Sequence, residues 1–265
     1  MGNCMHRALL FVTTLILFIV QPIAGYTDEV CSIANLSDSY VLAASWQPGF
    51  CKGHADKQEC KAMDKYQYAG SNFTLHGLWP NKTSCGKTYG FCDRTVVAEP
   101  AEPGHFCDLP TLNWSDSTKE YVQKYMPSVQ HGTCLERHEW WKHGTCSGYS
   151  VDEYFTISVS LLDQLNSTEF ADFIRSNIGK VVARNQLYAA FDQSFGYNAR
   201  KRLTLSCQGR KGALYLQEIQ MQLPSPIDPN VTLAEMLQTG KEAKNTGNCG
   251  DTFTISEVQN NSLVN

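Results

Sequence analysis

This chain has no apolar run of the roughly 20 residues that a membrane helix needs. Its most apolar stretch, residues 8–20, is only 13 residues long. Arg7 precedes it, and Pro22 with the small pair Ala24-Gly25 follows, which is the order of a secretory signal peptide. A cut after Gly25 is expected, although Ile23 stands where a smaller residue is preferred, and an uncleaved anchor is the alternative. The start Met1-Gly2-Asn3-Cys4 does not complete a lipidation signal, because His6 occupies the Ser or Thr position. An excess of positive charge is also missing. There are 22 Lys and Arg against 26 Asp and Glu, a formal charge of −4, and losing Arg7 with the leader makes the chain more negative still. No field draws a polyanion to the whole surface, so any nucleic-acid chemistry must come from a local cluster. No repeat, low-complexity tract or linker divides the chain. One domain over residues 26–265 follows.

Cysteine, by contrast, is plentiful. There are 11, and ten remain once Cys4 leaves with the leader. None forms a C-x-x-C pair, which removes zinc-ribbon and thioredoxin-like readings. Up to five disulfides in an oxidising compartment is the natural interpretation. A secreted or periplasmic protein, with no membrane association after leader removal, is expected.

Residues 39–46 (SYVLAASW) and 73–78 read as strands, and residues 82–113 form a long loop rich in Gly, Pro and Cys. Helical patterns cover 117–125, 134–145, 151–165 and 167–178, with Ser167 a candidate N-cap and Glu169 in the first turn. Residues 202–207 and 213–223 alternate like neighbouring antiparallel strands, a short helix is expected at 233–237, and 252–258 offers a last strand. Strands at both ends with helices between them predict an α+β domain rather than a βαβ series.

Two segments carry the chemistry. The first is Phe73-Thr74-Leu75-His76-Gly77-Leu78-Trp79-Pro80, and the second is His138-Glu139-Trp140-Trp141-Lys142-His143-Gly144-Thr145-Cys146. On an ideal helix of 100° per residue, His138, Lys142, Glu139 and His143 fall at about 0°, 40°, 100° and 140°, one polar sector backed by Trp140 and Trp141. Glu139 and His143 form an i,i+4 pair. A solvated helix face is the bland reading. A zinc protease would need H-E-x-x-H, whereas H-E-x-x-x-H sets the imidazoles about 140° apart with a lysine beside the metal. Metal-free acid/base chemistry is the third reading. Phosphodiester cleavage needs one base and one acid on opposite sides of phosphorus, and two histidines can divide that work.

F-T-L-H-G-L-W-P and H-E-W-W-K-H-G resemble the two active-site segments of the ribonuclease T2 family. Ser45-Trp46-Gln47-Pro48-Gly49-Phe50-Cys51, Leu205-Ser206-Cys207-Gln208-Gly209 and Gly247-Asn248-Cys249-Gly250 resemble its bacterial periplasmic branch, the ribonuclease I type. The resemblance spans roughly residues 38–256. It implies an α+β fold around a central antiparallel sheet and RNA cleavage through a 2′,3′-cyclic phosphate, with no cofactor, no metal and no cleavage of DNA. His143 would be the general base and His76 the acid. Lys142 and Glu139 would stabilise the phosphorane, His138 would hold the phosphate, and Trp79 would stack a base. Gln47 would line a second base pocket or be an ordinary buried glutamine. Where the family often has an aromatic pair before His138, this chain has Leu135-Glu136-Arg137. With phosphate binding leaning on His138 and Lys142 and no lysine-rich groove, mildly acidic activity resistant to EDTA is expected of a monomer.

The resemblance also implies a Cys207–Cys249 disulfide. Cys51–Cys60 would close a local loop, Cys92 would hold Cys146 beside the second segment, and Cys31 would pair with Cys85. Sequence alone leaves the connectivity open. Sequons at Asn35, Asn72, Asn81, Asn113, Asn166, Asn230 and Asn260 matter only in a glycosylating host. Rival readings are a catalytically idle RNA-binding or signalling protein, and a structural or effector protein whose partner surface is the 82–113 loop.

Overall fold

The computed structural model describes residues 30–210 and 212–259. The expected signal peptide and the Asn260 sequon lie outside them.

Among the described residues six strands form one sheet: β1 (Ser39–Ser45), β2 (Thr74–Asn81), β3 (Val181–Ala183), β4 (Leu203–Arg210), β5 (Ala213–Leu223) and β6 (Thr252–Thr254). Along one path the order is β2-β1-β5-β6-β3, and β4 pairs with the other edge of β5. All pairings are antiparallel except the contact of β6 with β5 at Thr254 and Tyr215. The α+β expectation stands, with a sheet that is mixed at this one pairing. The last strand ends at Thr254, shorter than the expected 252–258.

Among the described residues, five helices of a full two turns or nearly so accompany the sheet: α1 (Asp116–Tyr125), α2 (Val151–Asn166), α3 (Glu169–Ser176), α4 (Arg184–Phe195) and α5 (Leu233–Thr239). α2 begins with a capping box, in which Ser150 Oγ accepts from Glu153 N and Glu153 returns a carboxylate to Ser150 N. It buries Tyr154, Phe155, Val159, Leu162 and Leu165 and packs against β1 and β2. The cap of α3 is Thr168, whose hydroxyl accepts from Ala171 N; Ser167 instead closes α2. α4 was not anticipated, although Leu187, Phe191 and Phe195 recur at a four-residue spacing and are all buried.

Core residues from β1, β2, β5 and the helices form one contiguous cluster. One face of the sheet supplies Tyr40, Leu42, Ala44, Leu78, Ile219 and Met221 to it. The opposite face is polar, and two breaks in register shape it. Ala43 pairs with Gly77 while Ala44 pairs with Leu75, so His76 is an extra residue bulged out of β2. A second shift in β5 leaves Gln217 between the pairs Cys207–Leu216 and Ser206–Glu218. Strict alternation would put His76 on the side of Leu78. The bulge changes the phase, so that Leu75 and Leu78 both reach the core and His76 turns to the polar face.

Candidate active site

The second histidine segment is not the single helix expected over 134–145. A short helix, Leu135–His138, passes into a π-helical turn at Glu139–His143 and a 3-10 turn at Gly144–Cys146. The Gly144 N–H donates to Glu139 O five residues back, which widens the turn. The ideal-helix angles therefore do not apply. Atoms of His138, Glu139 and His143 lie within 4.8 Å of one another, and the two imidazole centroids are 5.8 Å apart. The expected separation of the imidazoles is corrected by this geometry, and the three groups are close enough to share a cation. Trp140 packs edge-on against Tyr154, whose hydroxyl bonds both the N–H and C=O of Leu78. The π turn is thereby seated on β2.

Glu139 points inward and is fully buried. Trp79 Nε1 donates to its Oε2 at 2.7 Å, while its Oε1 lies 3.4 Å from His76 Nε2 and has no hydrogen-bond partner among the described residues. Burial raises the Glu139 carboxyl to about 7 against the opposing pull of His76 and the Trp79 hydrogen bond. A Cβ at Gly77 would collide with this carboxylate and with the Trp79 indole nitrogen. Only glycine leaves room there.

Neither histidine segment contains Glu218, yet its carboxylate accepts a hydrogen bond from His76 Nδ1 and is itself held by Gln220 Nε2 at 2.7 Å. Alternation in β5 places 218, 220 and 222 on the polar side, which was the available signal. Burial by itself would lower the His76 imidazole, but the charge and hydrogen bond of Glu218, helped by Glu139, lift it to about 9. His143 goes the other way. Burial, then the cationic fields of His138, Lys142 and His76, push it well below its ordinary value, and its Nδ1 is buried without a hydrogen-bond partner among the described residues. Burial also takes His138 down to about 4 despite a carboxylate partner.

That partner is Glu99, carried in by the long loop. Its oxygens lie 2.9 Å from His138 Nδ1 and 2.8 Å from Lys142 Nζ. The loop is fixed at both ends to the second segment, by Cys92–Cys146 and by Cys107–Cys134. Arg137 adds hydrogen bonds to Cys107 O and Leu109 O. The remaining disulfides are Cys31–Cys85, Cys51–Cys60 and Cys207–Cys249.

Trp79 is less open than a stacking platform would be. Its ring lies between His76, edge-on at 5.2 Å, and His143, nearly parallel at 5.4 Å. Two cavities meet at His76 and His138, one of about 410 Å³ and one of about 680 Å³. Gln47 and Leu135 line the smaller, with Gln47 Oε1 accepting from Thr74 Oγ1 at 3.2 Å. The aromatic surface beside His138 comes from Phe106, at 4.4 Å between centroids, rather than from the residues before it. Glu136 is buried against Ser128.

The ribonuclease T2 family model matches residues 37–249. Ribonuclease I of Escherichia coli is 32% identical over 242 residues, covering 83% of this chain and 87% of that protein. A probable ribonuclease of Haemophilus influenzae is 28% identical, covering 65% of this chain and 62% of that protein. Among solved structures, the self-incompatibility SF11-RNase of Nicotiana alata superposes with a TM-score of 0.56 at 18% identity, covering 83% of this chain and all of that one. Actibind, a T2 ribonuclease, gives 0.53 at 18% identity over 86% of this chain and 90% of that one. With its family model matched across most of its length around this constellation, the chain belongs to the ribonuclease T2 family and is a ribonuclease.

Proposed function

We propose that this chain is a secreted or periplasmic endoribonuclease that cleaves single-stranded RNA without a metal and with low base specificity. The reading is carried by one observation: two imidazoles in one site are driven in opposite directions, His76 to about 9 and His143 well below 6.5. Environments that separate two titratable groups in this way assign the acid and the base. At neutral pH His143 is a neutral acceptor and His76 a charged donor.

In the first step the 2′-oxygen bonds to phosphorus and the P–O5′ bond breaks. His143 takes the 2′-hydroxyl proton, and His76 gives its proton to the departing 5′-oxygen. In the second step water attacks the 2′,3′-cyclic phosphate, His76 takes its proton, His143 protonates the 2′-oxygen, and a 3′-phosphate remains. Lys142 faces the charge that builds on the phosphorane, where preorganised groups count most, and Glu139, buried behind His76 and Trp79 with its carboxyl raised to about 7, supports that charge in its protonated form. His138 holds the phosphate and Gln47 faces one flanking base, while Trp79, enclosed between His76 and His143, stacks the other only once substrate opens that contact. A strand without the 2′-hydroxyl has no nucleophile and is not cut.

Glu99 already occupies the groups that a phosphate needs, so substrate must displace it. Replacing Glu99 with Gln is expected to tighten inhibition by inorganic phosphate several-fold, in line with freeing one charge-assisted contact. An unchanged inhibition constant would contradict this role.

The sequence expectation is a mildly acidic optimum, because phosphate binding leans on His138 and Lys142; the directions of the two shifted imidazoles support instead a plateau that reaches through neutral pH. kcat/KM should hold through neutral pH, fall on the alkaline side near the His76 value of about 9, and fall on the acid side below 6.5 as His143 protonates. Glu218 stabilises the charged imidazole, so its removal must lower that value. In Glu218→Gln the alkaline limb should move down toward 6.5, the unperturbed histidine value. A pH–rate profile measures this directly, and an alkaline limb that stays in place would remove Glu218 from the account. Both rival readings predict no cleavage at any pH.

A further inference from the structure

The larger cavity runs away from the catalytic groups over the polar face of the sheet. Val41, Trp79, Thr204, Gln220 and Gln222 form its floor, and among the described residues none of α1 to α5 contributes to its lining. Register explains the flat floor: Trp79, Val41 and Gln222 share one row, while Gly77, Ala43, Gln220 and Thr204 share the next. Four lysines from two distant segments stand at the rim, Lys82 and Lys87 after β2 and Lys241 and Lys244 after α5. Sequence reading gave no lysine-rich groove, because these residues are about 160 positions apart and meet only in the fold.

The rim lysines are not equivalent. Lys241 is held by Asp38 at 3.0 Å and by Thr83, and Lys82 reaches the carbonyl of Leu36. Glu242, the rim carboxylate, is neutralised by Lys201 at 3.0 Å. Lys87 and Lys244 are exposed and have no ion pair among the described residues. On a chain of net charge −4, this is a concentrated patch of positive charge opening onto His76, Lys142 and His143.

We propose that this groove is an extended subsite for single-stranded RNA, in which Lys87 and Lys244 bind backbone phosphates beyond the nucleotides flanking the cut. The inference rests on the ribonuclease reading and goes past it, since cleavage itself needs only two nucleotides. The polar sheet floor accepts sugar and base edges without selecting sequence, and the lysines supply the anion contacts. Such contacts release counterions, so binding should weaken with salt by about 0.7 log units per log unit of salt for each phosphate on a single strand.

The test compares wild type with the double variant Lys87→Gln/Lys244→Gln, and with Lys180→Gln on the far edge of the sheet as a charge control. Substrates are a mixed-sequence RNA of about 20 nucleotides and dinucleoside phosphates, assayed from low to moderate salt. For the double variant the salt slope of kcat/KM on the long RNA should fall by about 1.4, and the low-salt loss should exceed that on dinucleotides by at least tenfold. Affinity for a 2′-deoxy strand of the same length, read by fluorescence anisotropy, should show the same change of slope. An equal loss on long and short substrates, an unaltered slope, or the same change in Lys180→Gln would overturn the proposal. If wild type cut neither substrate, the catalytic reading would fail, while the anisotropy measurement would still decide the groove.

Discussion

Replacing His143 with alanine is expected to lower kcat/KM on single-stranded RNA by about 10³- to 10⁴-fold, at the upper end of what one acid/base group supplies. The expectation follows from where the imidazole sits. It is held against Trp79, with its Nδ1 buried and without a hydrogen-bond partner among the described residues, and burial, then neighbouring positive groups, keep it neutral. On the reading proposed above, this is the group that takes the 2′-hydroxyl proton. Glu139 is nearest in chemistry, but it is buried against Trp79 and raised to about 7, which makes it half-protonated at neutral pH. The fold should survive, because among the described residues the His143 Nδ1 has no hydrogen-bond partner to lose, and the π turn is held by Gly144 N–H and by the Cys92–Cys146 bond. Circular dichroism and thermal melting check that. A variant that stays folded and loses less than tenfold would remove His143 as the base.

The second large effect comes from a residue with no side chain. Gly77→Ala is expected to reduce kcat/KM by about 10²-fold, because a misplacement on the order of 1 Å is enough for such a loss. The added methyl meets the Glu139 carboxylate and the Trp79 indole nitrogen together. Glu139 cannot retreat, since it is fully buried, so the Trp79–Glu139 hydrogen bond must open or β2 must move with His76. The loss should appear in kcat more than in KM, as Lys142 and His138 are untouched. Retention of more than a third of wild-type kcat would show that the contact is slack.

Much of this was readable in the chain. The amphipathic apolar spacing of 151–165 gave α2, and the alternation of 213–223 gave β5; the capping box at Ser150 and Glu153 that starts α2 was in the chain but was not read. The two histidine segments held all five groups assigned to the chemistry. The missing parts have physical reasons. Alternation assigns His76 to the side of Leu78, and only the bulge opposite Ala43 and Ala44 turns it outward; Gly77 was the one local hint. Ideal helix geometry cannot foresee a π turn, so the closeness of His138 and His143 was lost. Glu99 and Glu218 reach the site through pairings 39 to 142 residues apart, and no local pattern carries such information. The same holds for the lysines of the groove.

The most direct test of a metal-free mechanism divided between His143 and His76 is end-group analysis of RNA digested in EDTA. The closeness of His138, Glu139 and His143 makes the chelator arm informative, because such a cluster could share an ion. The account predicts that wild type, in EDTA, converts RNA to fragments ending first in 2′,3′-cyclic phosphate and later in 3′-phosphate. His143→Ala should do neither, and a 2′-deoxy strand should stay intact. Activity abolished by EDTA, 5′-phosphate ends, or cleavage of the deoxy strand would contradict it.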